Sequence, residues 1–281
     1  MAKKIAVIND LSGFGRCSLT AAIPVLSVMG VQPCPLPTAI LSAQTGYEDY
    51  YCDDYTDHME YFRSGWEKMH VTFDGIYTGF VASEEQIRNI FRFLDTFYKE
   101  DTFLLVDPVM GDDGEVYDMF TQELCQLMKK LVLKADIITP NLTELCLLTG
   151  EDYEKLHAIV QKERLIEAIR HSADMIRKSG PSTVIVTGLH YIEDDILMMG
   201  NLAVSEHDIC LIGNPKIGGS YSGTGDLFAS VITGGIARGL ELSAVLKKAS
   251  DFLNASISAS PQTGKYDPDG VEFEKCLGLL I

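Results

Sequence analysis

Apolar positions along this chain fall into two recurring patterns. Short runs in which most positions are apolar cover residues 5–8, 31–36, 75–79, 103–106 and 136–139. Such runs fit strands covered on both faces. Longer stretches repeat apolar residues at helical spacing, at about 17–29, 84–98, 121–133 and 165–178, and read as helices. Gly30 suits the end of the first helix, and Pro140 stops the strand that precedes it. The β-branched run Thr183-Val184-Ile185-Val186-Thr187 predicts a further strand, with two more near 196–200 and 209–212. Helices are expected from Gly225 to the C-terminus. This alternation predicts an α/β fold, a mostly parallel sheet with helices on both faces. No linker, low-complexity tract or repeat interrupts it, so a single domain over residues 1–281 is expected. The stretch 47–55, rich in Tyr and Asp, reads as an exposed flap.

Composition narrows the partners. The chain has 281 residues, 46% hydrophobic and 22% charged, enough to bury a sizeable core. Its 40 acidic residues outnumber 23 basic ones, and the formal net charge is −17. With no Lys/Arg cluster, that field repels nucleic-acid phosphates and anionic lipid, which sets both aside as partners. Seven cysteines without a C-x-x-C pair point to a reducing, cytoplasmic setting. The six histidines lack metal-ligand spacing. The apolar run at 5–8 is too short for a signal-peptide core or a membrane span, so a soluble, unprocessed chain is expected.

In an open parallel sheet, ligands bind beyond the carboxyl ends of the strands. Polar and acidic groups collect there: Asn9-Asp10-Leu11-Ser12-Gly13-Phe14-Gly15, Thr78-Gly79-Phe80, Asp107-Pro108-Val109-Met110-Gly111-Asp112, Thr139-Pro140-Asn141 with Glu144, and Thr187-Gly188. Gly223-Thr224-Gly225-Asp226 opens a helix. Two glycines allow a sharp turn, and the helix N-terminus offers free N–H groups suited to a phosphoryl oxyanion. Asp226, in the first turn, can take a proton from an attacking hydroxyl, or can simply complement the helix dipole. Asp107, Asp112 and Glu144 are candidate surroundings for Mg²⁺, which takes oxygen ligands and keeps several waters. Each also has a local explanation. Asp107 can end a strand, Asp112-Asp113-Gly114 can form a turn, and Asn141-x-x-Glu144 fits a capping box. Neither G-x-G-x-x-G, G-x-x-x-x-G-K-[ST] nor G-x-S-x-G occurs, so dinucleotide, Walker and α/β-hydrolase readings lack support. Trp66 and the Tyr-rich flap could stack on a ring, although scattered aromatics more often pack a core.

Three ordered segments carry a resemblance: Asp107 to Asp112, Ala135 to Glu144, and Gly223 to Ala229. With Thr38 to Tyr47, the chain resembles the ribokinase-like superfamily over nearly its whole length, and within it the pyridoxal kinases. The resemblance implies an αβα sandwich with a central, mainly parallel sheet, often dimeric. It implies ATP and Mg²⁺, with a monovalent cation left open, and a B6 vitamer as substrate. It implies Asp226 as the base that activates the 5′-hydroxyl, and Gly223, Thr224 and Gly225 as the anion hole. Asp107, Asp112 and Glu144 match the metal region. Thr139, Asn141, Thr187, Asp112, Tyr117 and Asn254 match nucleotide-binding positions. Thr45, Asp10 and Phe80 match the substrate pocket.

Two positions depart from that pattern. Asp10 stands where the family commonly has serine, and a carboxylate there favours a protonated ring nitrogen or an amine-bearing substrate. Phe80 stands where tyrosine is common; stacking survives that change and a hydroxyl contact does not. The opening Asp10-Leu-Ser-Gly-Phe-Gly15 also resembles the hydroxymethylpyrimidine (phosphate) kinases, the alternative activity. A sugar or nucleoside kinase and a non-catalytic ligand-binding homologue are the remaining readings.

Overall fold

The computed structural model describes residues 2–262 and 264–281. Along the chain the elements are β1 (Lys4–Ser12), α1 (Ser18–Val28), β2 (Gln32–Leu41), β3 (Cys52–Asp54), α2 (Met59–Lys68), β4 (Gly75–Thr78), α3 (Glu84–Phe97) and β5 (Phe103–Val106). There follow β6 (Gly111–Asp112), β7 (Glu115–Val116), α4 (Gln122–Val132), β8 (Ile137–Ile138), α5 (Leu142–Thr149), α6 (Tyr153–His157) and α7 (Lys162–Arg177). The last are β9 (Thr183–Glu193), β10 (Ile196–Val204), β11 (Ile209–Pro215), α8 (Thr224–Ala237) and α9 (Leu242–Ala259). Every expected helix and strand forms, several of them longer than the apolar runs suggest. The chain packs as two compact units, one running to Leu104 and taking up Ile217–Ile281, the other being Leu105–Lys216. The division falls inside β5.

In the first unit β1 pairs in parallel with β2 on one side and β4 on the other. Ile5 to Ile8 are fully buried, as a doubly covered strand requires. The β1–β2 register shifts between Asn9 and Leu11, so Asp10 sits at a bulge, the device that re-aims a side chain at a strand end. Pro33, Pro35 and Pro37 occupy alternate positions of β2 and remove donors there. The antiparallel β3 accordingly joins β2 only at Ala39, Ile40 and Leu41, past the last proline. The flap expected at 47–55 thus ends in an edge strand, and its Tyr50 and Tyr51 are exposed. The backbone N–H of Tyr51 donates to Ser42 Oγ at 2.8 Å.

Trp66 lies on α2, an element the apolar pattern did not reveal. It packs on Phe62, Phe73 and Phe93, with centroids 5.4–6.0 Å apart, so it belongs to a core cluster. α2 is mostly polar and buries little beyond Met59, which explains its weak signal.

In the second unit β5, β8 and β9 run parallel, and β9, β10 and β11 form an antiparallel meander. β6 and β7 make a separate two-stranded hairpin. α5 opens with Asn141 as N-cap; its side chain accepts from the Glu144 N–H, and Glu144 reaches back to the Asn141 N–H, completing a capping box.

Phe93 is 1% exposed within the aromatic cluster. Phe93→Ala should lower unfolding free energy by about 3–5 kcal/mol, read by denaturant titration of Trp66 fluorescence. An unchanged midpoint would contradict this packing.

Candidate active site

The first unit gathers carboxylates around the start of α8. Gly223, the N-cap, has φ of 77°, a left-handed conformation in which a side chain is strained. A Cβ there would collide with the Arg16 carbonyl oxygen and lie 2.9 Å from Cys17 Cα. Glycine therefore lets α8 begin directly against the chain that leads into α1. That placement sets Asp226, in the first turn, beside Ser18, whose backbone N–H donates to its carboxyl. Ser18 itself has φ of 50°, a conformation that costs about 1–3 kcal/mol and persists where surrounding contacts enforce it. Asn9 Nδ2 donates to Asp226 Oδ1 at 2.9 Å.

Asp226 keeps intermediate exposure. Crowding by protein around its carboxyl pushes its pKa up to about 6; the Ser18 N–H pulls it down, the Asp10 charge raises it and the Asn9 amide lowers it. Asp10 is 5% exposed. Burial raises its pKa, against hydrogen bonds from the Ser18 and Ser12 hydroxyls; the Ser12 bond is 2.8 Å. The neighbouring Cys17 thiol is pushed up to about 12 by burial and by the charges of Asp226 and Asp10, so it stays protonated and unreactive.

The other positions expected in this unit lie as follows. Phe80 is half-buried in the turn after β4; its N–H donates to Asn9 Oδ1 at 2.8 Å and its carbonyl accepts from Thr38 Oγ1 at 3.2 Å. Thr45 is exposed, on a loop held by the buried Gln44, whose Nε2 donates to the Pro268 carbonyl at 2.9 Å and whose Oε1 accepts from the Gly46 N–H at 2.8 Å. Tyr47 donates to Asp269 and lies with its ring 5.6 Å from Phe14. Thr224 donates to the Tyr221 carbonyl at 3.4 Å, and Gly225 is exposed. Asn254 is half-buried on α9, and its carbonyl accepts from Ser258 Oγ at 2.8 Å.

The second unit gathers a separate acidic group. Asp107 and Glu144 are 7% and 4% exposed. Glu144 Oε1 accepts from the Met110 N–H at 3.1 Å and Oε2 from the Asn141 N–H at 2.8 Å. Its pKa stands well above the usual range because of burial first and the Asp107 charge second. Asp107 Oδ1 accepts from Thr139 Oγ1 at 3.0 Å. Asn141 Nδ2 donates to the Gly111 carbonyl at 2.8 Å, with Asp112 Oδ1 3.5 Å away. The Thr187 N–H donates to the Pro140 carbonyl at 2.9 Å. Tyr117, 41% exposed, donates its N–H to the Met110 carbonyl at 3.0 Å. Asp107 follows β5, and Thr139, Asn141 and Glu144 follow β8; Thr187, expected at a strand end, lies inside β9, which runs on to Glu193. Among the described residues no three His, Cys, Asp or Glu side chains converge as a closed metal cage. Two buried, mutually repelling carboxylates with Asp112 nearby still fit a divalent cation that keeps several waters.

Sequence reasoning overlooked Asn9 and Ser18 as parts of the Asp226 environment. The available signal was a buried-strand pattern ending in an amide, Ile5-Ala6-Val7-Ile8-Asn9. The left-handed Ser18 left no trace in composition.

The phosphomethylpyrimidine kinase profile matches residues 17–269. The pyridoxal kinase of Dictyostelium discoideum is 27% identical, over 97% of this chain and 91% of its own. The hydroxymethylpyrimidine/phosphomethylpyrimidine kinase of Aquifex aeolicus is 28% identical over 68% of this chain and 69% of its own. A Bacteroides thetaiotaomicron structure assigned to the phosphomethylpyrimidine kinases, solved with pyridoxal, is 37% identical, with TM-score 0.90 over 100% of this chain and 96% of its own. Lactobacillus plantarum pyridoxal kinase is 28% identical, with TM-score 0.84 over 100% of this chain and 97% of its own. No helix among the described residues is long and apolar enough to cross a membrane. The chain belongs to the phosphomethylpyrimidine kinase family and is a kinase of ribokinase-like, mixed α/β fold.

Proposed function

We propose that this kinase transfers the γ-phosphoryl group of ATP to the 5′-hydroxyl of pyridoxal, pyridoxine and pyridoxamine, with Asp226 as general base. The observation that carries the reading is the Asp226 carboxylate, at a glycine-built helix start, with a pKa of about 6. That value leaves it ionised yet basic near neutral pH, as proton abstraction requires. The substrate oxygen bonds to the γ-phosphorus, the bond from that phosphorus to the bridging oxygen breaks, ADP leaves, and the hydroxyl proton passes to Asp226. Backbone N–H groups of Gly223, Thr224 and Gly225, at the start of α8, suit the transferring oxyanion.

Asp107, Glu144 and Asp112 would hold Mg²⁺, largely through water, which when bound offsets charge on the β and γ oxygens. Thr139, Asn141, Tyr117, Thr187 and Asn254 are assigned to the nucleotide. The pyridoxal in the Bacteroides structure, at 37% identity, supports a B6 ring as substrate. Asp10 and Phe80 would contact that ring, and Thr45 its rim. One family profile covers residues 17–269, through both compact units, which supports a single kinase domain. The second reading, hydroxymethylpyrimidine kinase, draws on the Aquifex relative.

Asp226→Asn should lower kcat by about 10²–10⁴-fold while the protein stays folded. Because the carboxyl pKa is raised on folding, its ionised form destabilises the native state above pH about 6. That cost disappears at pH values below the unfolded-state pKa. The asparagine variant should therefore melt no lower than wild type at pH 8. Full activity in the variant would remove the base assignment. Wild-type kcat/KM should fall as pH drops through about 6, because a protonated Asp226 cannot accept the hydroxyl proton.

Asp10→Ser removes a buried negative charge. It should change the ratio of kcat/KM between pyridoxamine and pyridoxine at least about threefold, with KM for ATP altered less. An unchanged ratio removes Asp10 from substrate choice.

A further inference from the structure

Asn9 is fully buried, and a buried amide must satisfy both its donor and its acceptor ends. Its Oδ1 accepts the Phe80 N–H at 2.8 Å and the Asp10 N–H at 3.0 Å. Two backbone donors on one atom decide the orientation. Turning the amide by half a revolution would set an NH₂ group against two N–H groups. The Nδ2 end is therefore committed to Asp226 Oδ1, 2.9 Å away. Gly79 closes the remaining side: a Cβ there would lie 2.7 Å from Asn9 Cγ.

The geometry points to Asn9 as a positioning residue for the phosphoryl transfer: it holds the Asp226 carboxylate in one orientation and in its ionised form, and ties it to the turn that carries Phe80. This role rests on the reading of Asp226 as the base. A carboxylate free to rotate spends less time aligned with the hydroxyl, and a donor to the carboxylate favours ionisation. Among the described residues, the titratable groups that face Asp226 are Asp10 on β1 and Cys17 ahead of α1. Cys17 stays neutral through the working range. The charge of Asp10 opposes ionisation of Asp226, and the Asn9 amide works against it. The sign follows. Loss of the amide donor raises the Asp226 pKa, so the acid limb of activity moves to higher pH, and the deficit is largest in acid and shrinks in base.

The test compares pH profiles of kcat and KM, with pyridoxal and ATP, for wild type, Asn9→Leu, Gly79→Ala and Asp226→Asn. Asn9→Leu removes the amide and keeps the same branched arrangement of heavy atoms, in a larger side chain. Gly79→Ala leaves Asn9 in place and pushes its amide off Asp226. Expected for Asn9→Leu is a kcat at pH 7 about 10- to 100-fold below wild type. Its acid limb should stand about one pH unit higher, part of the rate should return by pH about 9, and KM for ATP should stay within about twofold. Gly79→Ala should shift the limb in the same direction by less, and it decides the matter by itself where Asn9→Leu does not fold. A folded variant whose acid limb coincides with that of wild type, or whose loss lies wholly in KM, overturns the role. An Asp226→Asn enzyme with wild-type kcat sinks the base assignment. An inactive Asp226→Asn beside wild-type profiles for the other two sinks only the role of Asn9.

Discussion

The start of α8 has no room for a side chain at Gly223, and the surroundings of Asp226 depend on that close approach. A Cβ at that position would meet the backbone of Arg16 and Cys17, so only glycine lets the helix begin against the entrance of α1. From it follow the Ser18 N–H on the Asp226 carboxyl and the shared neighbourhood of Asp226, Asp10 and Cys17. Backbone geometry does here what a cationic side chain would otherwise do. It supplies fixed donors to a carboxylate without neutralising it or lowering its basicity far.

Charge is handled differently in the two units. In the first, hydroxyl, amide and N–H donors stabilise Asp10 and Asp226. In the second, Glu144 spends both oxygens on backbone N–H groups while the Asp107 charge raises its pKa further. A capping box and a strained carboxylate pair are thus one structure: the local explanation for Asn141 and Glu144 and the proposed metal role use the same atoms. Repulsion between buried carboxylates is a reservoir that a divalent cation would relieve.

Much of this was legible in the sequence because strand ends follow from short apolar runs. Those runs placed Asp107 and Thr139 directly after β5 and β8, and Asn141-x-x-Glu144 announced its own cap; Thr187 was misjudged as a strand end because β9 runs on through polar and glycine positions to Glu193. α2 escaped because its surface is mostly polar and one residue, Met59, anchors its buried side. β3 escaped because its three residues are all exposed. The partnership of Asn9 with Asp226 spans 217 positions, a separation no local pattern encodes. The bulge that places Asp10 and the left-handed Ser18 arise from tertiary fit, which overrides propensity where the backbone must reach a carboxylate.

Comparison of pyridoxal with hydroxymethylpyrimidine as phosphoryl acceptors tests the central claim most directly. Purified protein with Mg²⁺ and ATP should give a kcat/KM for pyridoxal about tenfold or more above that for hydroxymethylpyrimidine, with phosphate found on the 5′-oxygen. A reversed ratio, or no transfer to pyridoxal at all, would contradict the account.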